Sequence, residues 1–317
     1  MIKIKDPQAV IECTSCDAGK MKRKNFAKSM PPKADNVGEV VYSDVCGKIT
    51  PPTLFGENYI VTFIDELSGH ISVFLLKHKS EVFSKFQEVR ARLNNQNATT
   101  TVKVLVSDNG GEYIDADFQE FLKKKGIAHV QTPPNTPQRN GKSERLNKIL
   151  LDLARAMLKE RQLPRRFWGE AVLYAAYIIN RTPKIGNDKT RFEMIFGKKP
   201  SLEKTLDFGM PVMFHNHEPH IKKLHDRAFQ GMFLGFWEDD HTYKIFNNAT
   251  NELISTRTIH AYPQHQLDFE NNDWQERFRA EDDDFWQSGL TDQQQYLNFN
   301  QYLLDFVKSK YLLFPSN

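Results

Sequence analysis

Three acidic residues, Asp44, Asp108 and Glu144, stand where a carboxylate could do chemistry. Asp44 ends a predicted strand, Asp108 ends a second one just before residues 109–111, and Glu144 lies in the first turn of a predicted helix. A carboxylate placed where a strand stops is exposed and held by a rigid scaffold. Any one of the three alone is more simply a helix cap or a solvated acid. Their joint placement favours a common site.

Three convergent carboxylates suit Mg²⁺ or Mn²⁺, which are hard ions that prefer oxygen ligands. Their like charges would repel each other without a cation, so protons and metal ions should compete for the site. Two ions roughly 3.5–4 Å apart could activate an attacking oxygen and stabilise the leaving oxygen at phosphorus. The predicted chemistry is therefore transfer or hydrolysis of a phosphodiester.

The segment around Glu144 is amphipathic and basic. Four apolar side chains recur there at helical spacing: Leu146, Leu150, Leu153 and Met157. Glu144 lies two residues before this stripe, so at about 100° per residue it faces away from the packing surface. Residues 139–166 hold nine basic and three acidic side chains, a net charge of +6. We expect this surface to bind phosphates.

The apolar pattern predicts the elements that position these residues. Strands are predicted at 40–43, 59–64, 71–76, 102–106 and 127–130, and helices at 80–93, 115–125, 141–161 and 166–179. Ser80 is the expected N-cap of the first helix. Pro133, Pro134 and Pro137 are expected to end the last strand in a rigid loop. The predicted fold class is α/β, a mixed sheet flanked by helices.

A second, smaller module is predicted further along the chain. Short apolar runs at 232–236, 243–246 and 252–255 are joined by polar turns, which is typical of a small β-barrel. Beyond residue 265 the chain turns acidic: residues 266–317 carry a net charge of −6, which leaves +9 on the first 265 residues. The net positive charge of the first 265 residues indicates a polyanionic partner.

Composition excludes several classes of protein. With 39% apolar and 26% charged residues among 317, the chain has an ordinary globular balance, not that of a disordered or fibrous protein. The longest apolar run, 171–179, is nine residues, short of the roughly 20 that a membrane helix needs. The N-terminus lacks the apolar core of a signal peptide. We therefore expect neither a membrane protein nor a secreted one.

The three cysteines fit a reducing compartment. Cys13 and Cys16 form a Cys-x-x-Cys pair, half of a common zinc site. No histidine or cysteine precedes Cys13 and the first histidine is His70, so the chain leaves the ligand set incomplete. Two unligated thiols are the simpler interpretation. Cys46 is expected to be a small packing residue.

At these residues the sequence resembles the integrase region of a Ty1/copia-type LTR retrotransposon Pol polyprotein. The motifs that carry the resemblance are Cys13-x-x-Cys16, Asp44, the Ser-Asp-Asn-Gly-Gly-Glu-Tyr run at 107–113 and the segment 132–145, followed by 163–171 and 177–183. The family's signature is Asp, Asp and Glu with 35 residues between the last two, and 35 residues separate Asp108 from Glu144. Arg139 stands where many relatives have a second glutamine.

The resemblance implies an RNase H-like fold with Asp44, Asp108 and Glu144 as catalytic residues and ligands of Mg²⁺ or Mn²⁺. It implies nucleic-acid contacts along the helix, which with the neighbouring basic side chains are Asn140, Lys142, Arg145, Asn147, Lys148 and Arg155. The implied partners are double-stranded DNA, as element ends and target, and further copies of the chain. Cys13 and Cys16 would hold Zn²⁺ only with ligands from an upstream segment.

The implied domains are a remnant zinc module with a basic linker at 1–35 and an RNase H-like catalytic core at 36–200. An SH3-like β module at 201–262 and an acidic, largely disordered tail at 263–317 follow. The absence of protease or reverse transcriptase sequence suggests a fragment, a truncated copy or a domesticated remnant. Such a protein would act in the nucleus after residing in a cytoplasmic particle.

Three functions remain open from sequence. The first is a metal-dependent integrase, a transferase and endonuclease that trims element DNA 3′ ends and joins them to target DNA. The second is a catalytically inactive or domesticated nucleic-acid-binding relic. The third is an RNase H-like nuclease on RNA, which shares the fold and metal chemistry. The proline-bounded loop and the basic helix around Glu144 favour an integrase over such a nuclease.

Overall fold

The structure, a computed structural model, describes residues 33–96, 101–132, 137–183, 187–215, 227–237 and 241–261, with the side chains of 137–141 excepted. All of these residues lie in one compact unit, Lys33–Asn317. Cys13, Cys16, the predicted basic linker up to residue 32 and the predicted acidic tail lie outside the described residues.

The first sheet has five strands in the order β3-β2-β1-β4-β5. Its strands are β1 (Val40–Gly47), β2 (Tyr59–Asp65), β3 (Ile71–Leu76), β4 (Val104–Ser107) and β5 (Ala128–Gln131). The first three strands pair antiparallel, whereas β4 pairs parallel to both β1 and β5. The mixed sheet predicted from the apolar runs is confirmed, because parallel strands need the helical crossovers that the sequence pattern placed between them.

Helices flank this sheet. They are α1 (Val82–Gln96), α2 (Gly111–Ile114), α3 (Ala116–Lys125), α4 (Pro137–Glu160), α5 (Trp168–Asn180) and α6 (Arg191–Phe196), with 3₁₀ turns at Lys79–Glu81 and Arg165–Phe167. Asp115 caps α3 by accepting a hydrogen bond from the Asp117 N–H, and Gly126 ends it in the left-handed conformation. One face of the sheet packs on α1 and α3 through a cluster that includes Phe63, Phe86 and Phe118.

Three boundary predictions were wrong. β1 continues to Gly47, so Asp44 lies within the strand and does not end it. Ser80 lies inside the 3₁₀ turn, whose N-cap is His78. Helix α4 begins at Pro137, where a loop was predicted, and this places Glu144 in the third turn of the helix instead of the first. Proline is favoured at the first helical position because its missing N–H has no helical partner there.

The second sheet is antiparallel throughout, in the order β10-β6-β7-β8-β9. It comprises β6 (Pro211–His215), β7 (Ala228–Phe236), β8 (Tyr243–Asn247), β9 (Glu252–Thr256) and β10 (Ile259–Ala261). The sequence pattern predicted β7, β8 and β9 and missed β6, β10 and α6. The missed elements span only three to six residues, too few to show a period.

Helix α5 joins the two sheets into one core. The helix is buried on nearly every side, and its apolar residues form one cluster with Ile60 and Ile71 of the first sheet and Phe233 and Ile245 of the second. A helix that is apolar all round is expected to be enclosed by protein. The second sheet is therefore packed against the body that carries the carboxylates.

A buried ion pair crosses the same junction. Lys244 Nζ of β8 lies 2.8 Å from Glu170 Oε2 of α5, and each side chain is only 10% exposed. The Lys244 ammonium also lies 4.7 Å from the centroid of the Trp237 ring. Charges this well buried require partners, so the pair fixes which face of the second sheet meets α5.

Two smaller predictions can be checked in the described residues. Within those ranges, no helix has both the length and the apolarity that crossing a bilayer requires. Cys46 is partly buried against the main core, as predicted for a packing residue. Burial and the nearby charge of Asp44 raise the pKa of the Cys46 thiol, which disfavours the nucleophilic thiolate.

Candidate active site

Asp44 and Asp108 lie on neighbouring strands at the centre of the first sheet. β1 and β4 pair in parallel with Tyr42 opposite Val106. Asp44 and Asp108 each stand two residues beyond this last pair, Asp44 within β1 and Asp108 just after β4 ends at Ser107. Because side chains alternate along strands, the Asp44 carboxylate projects on the same face of the sheet as Tyr42. Both aspartates are partly exposed, so they can be reached from solvent.

Tyr113 supports this pair from the protein interior. Its hydroxyl lies 2.6 Å from Ser43 Oγ, and the side chain is fully buried. Burial raises the pKa of Tyr113 well above its ordinary value, and the charges of Asp44, Asp108 and Glu112 add to the effect, against the bond from Ser43. The Tyr113 phenol therefore stays neutral, and the charges of Asp44 and Asp108 both contribute to the rise of its pKa.

A hydrogen-bond chain fixes the backbone at Asp108. The Ser107 hydroxyl donates to the Asp108 carbonyl at 2.8 Å and lies 2.9 Å from His129 Nε2. Gln119 Nε2 lies 2.9 Å from His129 Nδ1 and donates to the Tyr113 carbonyl at 2.6 Å. Burial lowers the pKa of His129, which favours the neutral ring that this chain requires. Ser107 and His129 thus hold the aspartate from the side opposite to solvent.

The turn after Asp108 is closed by a hydrogen bond to the Asp108 side chain. Asp108 Oδ1 accepts a hydrogen bond from the Gly110 N–H at 3.0 Å. A Cβ at Gly110 would lie 2.8–2.9 Å from the Glu112 carboxyl atoms, so a larger residue there would make the flexible end of the Glu112 side chain shift. Glu112 in turn lies 3.3 Å from Lys79 Nζ. Gly111, by contrast, faces open space, with nothing within 4 Å of an added Cβ.

Helix α4 lies over the aspartate pair and contacts it directly. The Asn147 side-chain amide donates to Asp44 Oδ2 at 2.8 Å. Asn147 is only 6% exposed, and its Oδ1 has no partner among the described atoms. The family resemblance implied a nucleic-acid contact for Asn147. The structure instead buries the residue against β1, because it continues the inward-facing row that includes Leu150 and Ala154.

Glu144 lies one turn before Asn147 and is exposed. Its orientation away from the apolar stripe is as predicted, and Leu150 and Leu153 of that stripe are buried. The described residues contain no group of three His, Cys, Asp or Glu side chains close enough to hold a metal ion. Asp44 lies on β1, Asp108 directly after the neighbouring strand β4, and Glu144 on helix α4, which contacts Asp44 through Asn147.

The groups at this edge fit a hard divalent cation in their chemistry. Asp44 and Asp108 offer carboxylate oxygens, and the unpaired Asn147 Oδ1 is an amide oxygen beside one of them. Oxygen ligands of this kind suit Mg²⁺ or Mn²⁺. The Asn147 N–H donates to Asp44 Oδ2 at 2.8 Å and so partly balances the charge of that carboxylate.

Exposed basic side chains follow on the outer face of α4. Arg145, Lys148 and Arg155 are exposed, and Arg155 pairs with Asp152 at 2.8 Å. The side chain of Asn140 lies outside the described ones. Lys142 is also exposed, as predicted, and it contacts Glu66 of the β2–β3 turn at 3.1 Å. The exposed basic residues therefore lie on the same helix as Glu144.

Sequence reasoning missed three residues that shape this site. It did not recognise Asn147 as a partner of Asp44, and it did not single out Glu66 or Tyr42. A helical wheel extended backward from Leu150 by three residues and then by four would have placed Asn147 and Ser143 on the buried row. No local signal marks Glu66, because its partner is 76 residues away in sequence.

The first sheet is a five-stranded mixed sheet, and Asp44 on its central strand contacts a flanking helix. Residues 34–137 match the family model described as Integrase core domain, and residues 210–274 match Retroviral polymerase SH3-like domain. The chain thus contains an integrase core domain followed by a retroviral SH3-like domain. The first match ends before Glu144.

Similar proteins are Ty1/copia-type polyproteins. The chain is 36% identical over 248 residues to the Retrovirus-related Pol polyprotein from transposon TNT 1-94 of Nicotiana tabacum, covering 78% of this chain and 18% of that one. It is 26% identical over 252 residues to a Ty1 Gag-Pol polyprotein of Saccharomyces cerevisiae, covering 77% and 14%. The chain therefore spans less than a fifth of the length of these relatives.

Among solved structures, the chain is similar to the simian T-cell lymphotropic virus intasome in complex with PP2A regulatory subunit B56 gamma. The sequence identity is 20% and the TM-score 0.44, with 80% of this chain and 88% of that chain covered.

Proposed function

We propose that this chain is the integrase region of a Ty1/copia-type Pol polyprotein and acts as a metal-dependent polynucleotidyl transferase. It would hydrolyse element DNA near its 3′ ends and then join those ends to target DNA. The observation that carries the proposal is the parallel pairing of β1, which holds Asp44, with β4, which Asp108 follows, together with the contact of helix α4 with Asp44. The integrase core domain match over residues 34–137 supports it.

The acidic residues and their neighbours would have separate roles in this reaction. Asp44 and Asp108 would hold the cation from the sheet, and Glu144 would complete its ligands from α4. Bound there, Mg²⁺ or Mn²⁺ would activate the attacking oxygen and stabilise the leaving one. Tyr113 and His129, both neutral, keep the aspartates in place without competing for protons. Asn147 orients Asp44 by its hydrogen bond.

Double-stranded DNA is the proposed substrate, held by the exposed basic face of α4. Arg145, Lys148 and Arg155 present cations on the helix that carries Glu144. Each phosphate contact releases counterions, so affinity should fall steeply as salt rises. Self-association into a homo-oligomer, and action in the nucleus after a cytoplasmic particle stage, belong to the same proposal. Zinc at Cys13 and Cys16 would need ligands from a segment upstream of them.

The experiment is a strand-transfer assay with a labelled duplex of the element end, in Mg²⁺ and in Mn²⁺. Asp108→Asn keeps the size and hydrogen bonds of the side chain but removes its charge. We expect it to abolish joining while duplex affinity stays within about twofold, since Asp108 lies off the basic face. Joining that persists in Asp108→Asn with Mg²⁺ would remove the assignment.

A second candidate is a nucleic-acid-binding relic without turnover. It is favoured by one observation, that the described residues form no group of three metal-ligating side chains and Asn147 already pairs with Asp44. Metal-dependent nicking of the element-end duplex separates the two. Salt-sensitive binding with no nicking in Mn²⁺ would support the relic, whereas nicking lost in Asp108→Asn would exclude it.

A further inference from the structure

Lys142, near the start of helix α4, is held from two sides. Its Nζ lies 3.1 Å from Glu66 Oε1 and 5.3 Å from the centroid of the Tyr42 ring. The ammonium thus sits between a carboxylate and an aromatic face, both of which attract it. An exposed lysine would otherwise sample many rotamers in water. These contacts favour a position of the ammonium above β1, with the side chain 54% exposed.

Glu66 is itself fixed to the sheet. Its backbone N–H donates to the Val40 carbonyl at 2.9 Å, at the start of β1. Its Oε2 accepts a hydrogen bond from the Ala34 N–H at 3.4 Å, and its side chain is 18% exposed. The carboxylate that holds Lys142 is therefore part of the rigid scaffold.

The Lys142 contact and the Asn147 contact are two ties between the same elements. Along α4, Lys142 and Asn147 are five residues apart, about 7.5 Å at 1.5 Å per residue. Along β1, their partners Tyr42 and Asp44 are two residues apart, about 6.6 Å at roughly 3.3 Å per residue. The spans match, so this stretch of the helix runs along the strand with a tie at each end. Glu144 lies between the ties.

We propose that Glu66 and Tyr42 are positioning residues for Glu144: by anchoring Lys142 they set where this carboxylate stands relative to Asp44 and Asp108. The inference rests on the proposed function, because it gives Glu144 a role beside the aspartates. A single tie at Asn147 would leave the helix free to pivot about that point. The second tie prevents that rotation of the helix. A metal ligand carried on a separate element, such as Glu144 on α4, depends on supporting residues for its position.

The ties also explain a polar interior where apolar packing would be expected. Ser143 and Tyr42 are at most 1% exposed, yet Ser143 Oγ and Tyr42 Oη have no partner among the described atoms. Burying such groups without partners is unfavourable. Rotation of a helix held only by its apolar stripe would turn Ser143 toward solvent and uncover Tyr42 on β1. The Lys142 and Asn147 contacts hold the orientation against that tendency.

The test uses the full 317-residue chain with Glu66→Gln, which removes the charge but no basic group that could bind DNA. Its matched control is Glu39→Gln, which breaks a comparable ion pair, Lys103 Nζ to Glu39 Oε1 at 2.6 Å, away from α4. Three quantities are measured: duplex affinity, single-turnover joining rate on bound duplex, and Mn²⁺ affinity by electron paramagnetic resonance without DNA.

We expect Glu66→Gln to lower the joining rate about tenfold and to weaken Mn²⁺ binding by a similar factor, with duplex affinity unchanged. The charge swap Glu66→Lys with Lys142→Glu should recover part of both losses relative to either single variant. Equal behaviour of Glu66→Gln and Glu39→Gln in rate and Mn²⁺ affinity would overturn the proposal, as would a swap no better than its single variants.

Failure of the proposed function would look different. If the wild-type chain joins no DNA, the function is lost, but the Mn²⁺ measurement still decides the inference. Weaker Mn²⁺ binding in Glu66→Gln than in Glu39→Gln would then support positioning in a protein that binds metal without turnover. Equal Mn²⁺ binding in the two would reject it.

Discussion

Asn147 on helix α4 donates a hydrogen bond to Asp44 on strand β1 at 2.8 Å, across 103 residues of sequence. The contact ties helix α4 to the central strand at Asp44. It also leaves Asn147 Oδ1 buried without a partner among the described atoms. A side chain so placed is sensitive to small changes of charge.

Asn147→Asp should destabilise the fold at neutral pH. The new carboxylate would face Asp44 in place of the amide donor, so a hydrogen bond to a charged group becomes a repulsion. We expect a loss of about 2 kcal/mol in the free energy of unfolding, measured by urea denaturation at pH 7.5. Addition of Mn²⁺ should restore part of the loss. Asn147→Asp as stable as wild type in metal-free buffer would contradict this role for the amide.

Breaking the buried pair between Glu170 and Lys244 should be costly. Removing one partner leaves the other charge buried at the junction of α5 and β8, at a cost of about 3–5 kcal/mol. We expect Glu170→Gln to lower the urea midpoint strongly. The double variant Glu170→Leu with Lys244→Met removes both charges and should lie closer to wild type. If the single variant is as stable as the double one, the pair does not fix the junction.

Gly231 allows β7 to approach β8 closely. An added Cβ would lie 2.5 Å from Ile245 Cγ2 and 2.7 Å from the Phe246 carbonyl oxygen. The second contact is with backbone, which cannot move aside without disturbing the sheet. Gly231→Ala should therefore destabilise the protein by about 1–3 kcal/mol. Gly111→Ala, which would meet nothing within 4 Å, is the control and should change thermal stability little.

His70 should make the fold sensitive to mild acid. Burial, with the charges of Arg181 and Arg191 adding, lowers the pKa of His70 to about 3. The unfolded chain binds a proton near the ordinary value of about 6.5. The folded state therefore holds fewer protons below that pH, and stability is lost as pH falls from about 6.5 toward 3.

The measurement is urea unfolding at pH 7.5 and at pH 5, where most carboxylates stay charged. His70→Phe keeps an aromatic ring against Phe196, whose centroid lies 5.8 Å from that of His70. We expect this variant to lose less stability than wild type between the two pH values. An equal loss in both proteins would show that other groups cause the acid sensitivity.

The sequence alone determined most elements of the first sheet and the identity of its acidic residues. Strands β1 to β5 and helices α1, α3, α4 and α5 follow from apolar periodicity, because a strand or helix must bury one face whatever covers it. The spacing between Asp108 and Glu144, with its flanking motifs, indicated an integrase core, and the domain matches bear that out.

Contacts between distant segments were decided only by the tertiary structure. The apolar run of α5 predicted a buried helix but not that a second sheet would cover it through Phe233 and Ile245. The pattern of α4 placed Glu144 outward correctly. The same pattern could not show that Asn147 meets Asp44, or that Glu66 holds Lys142. Local periodicity reports which face of an element is apolar, whereas strand register and helix docking choose the partner, and those depend on the packing of the whole chain.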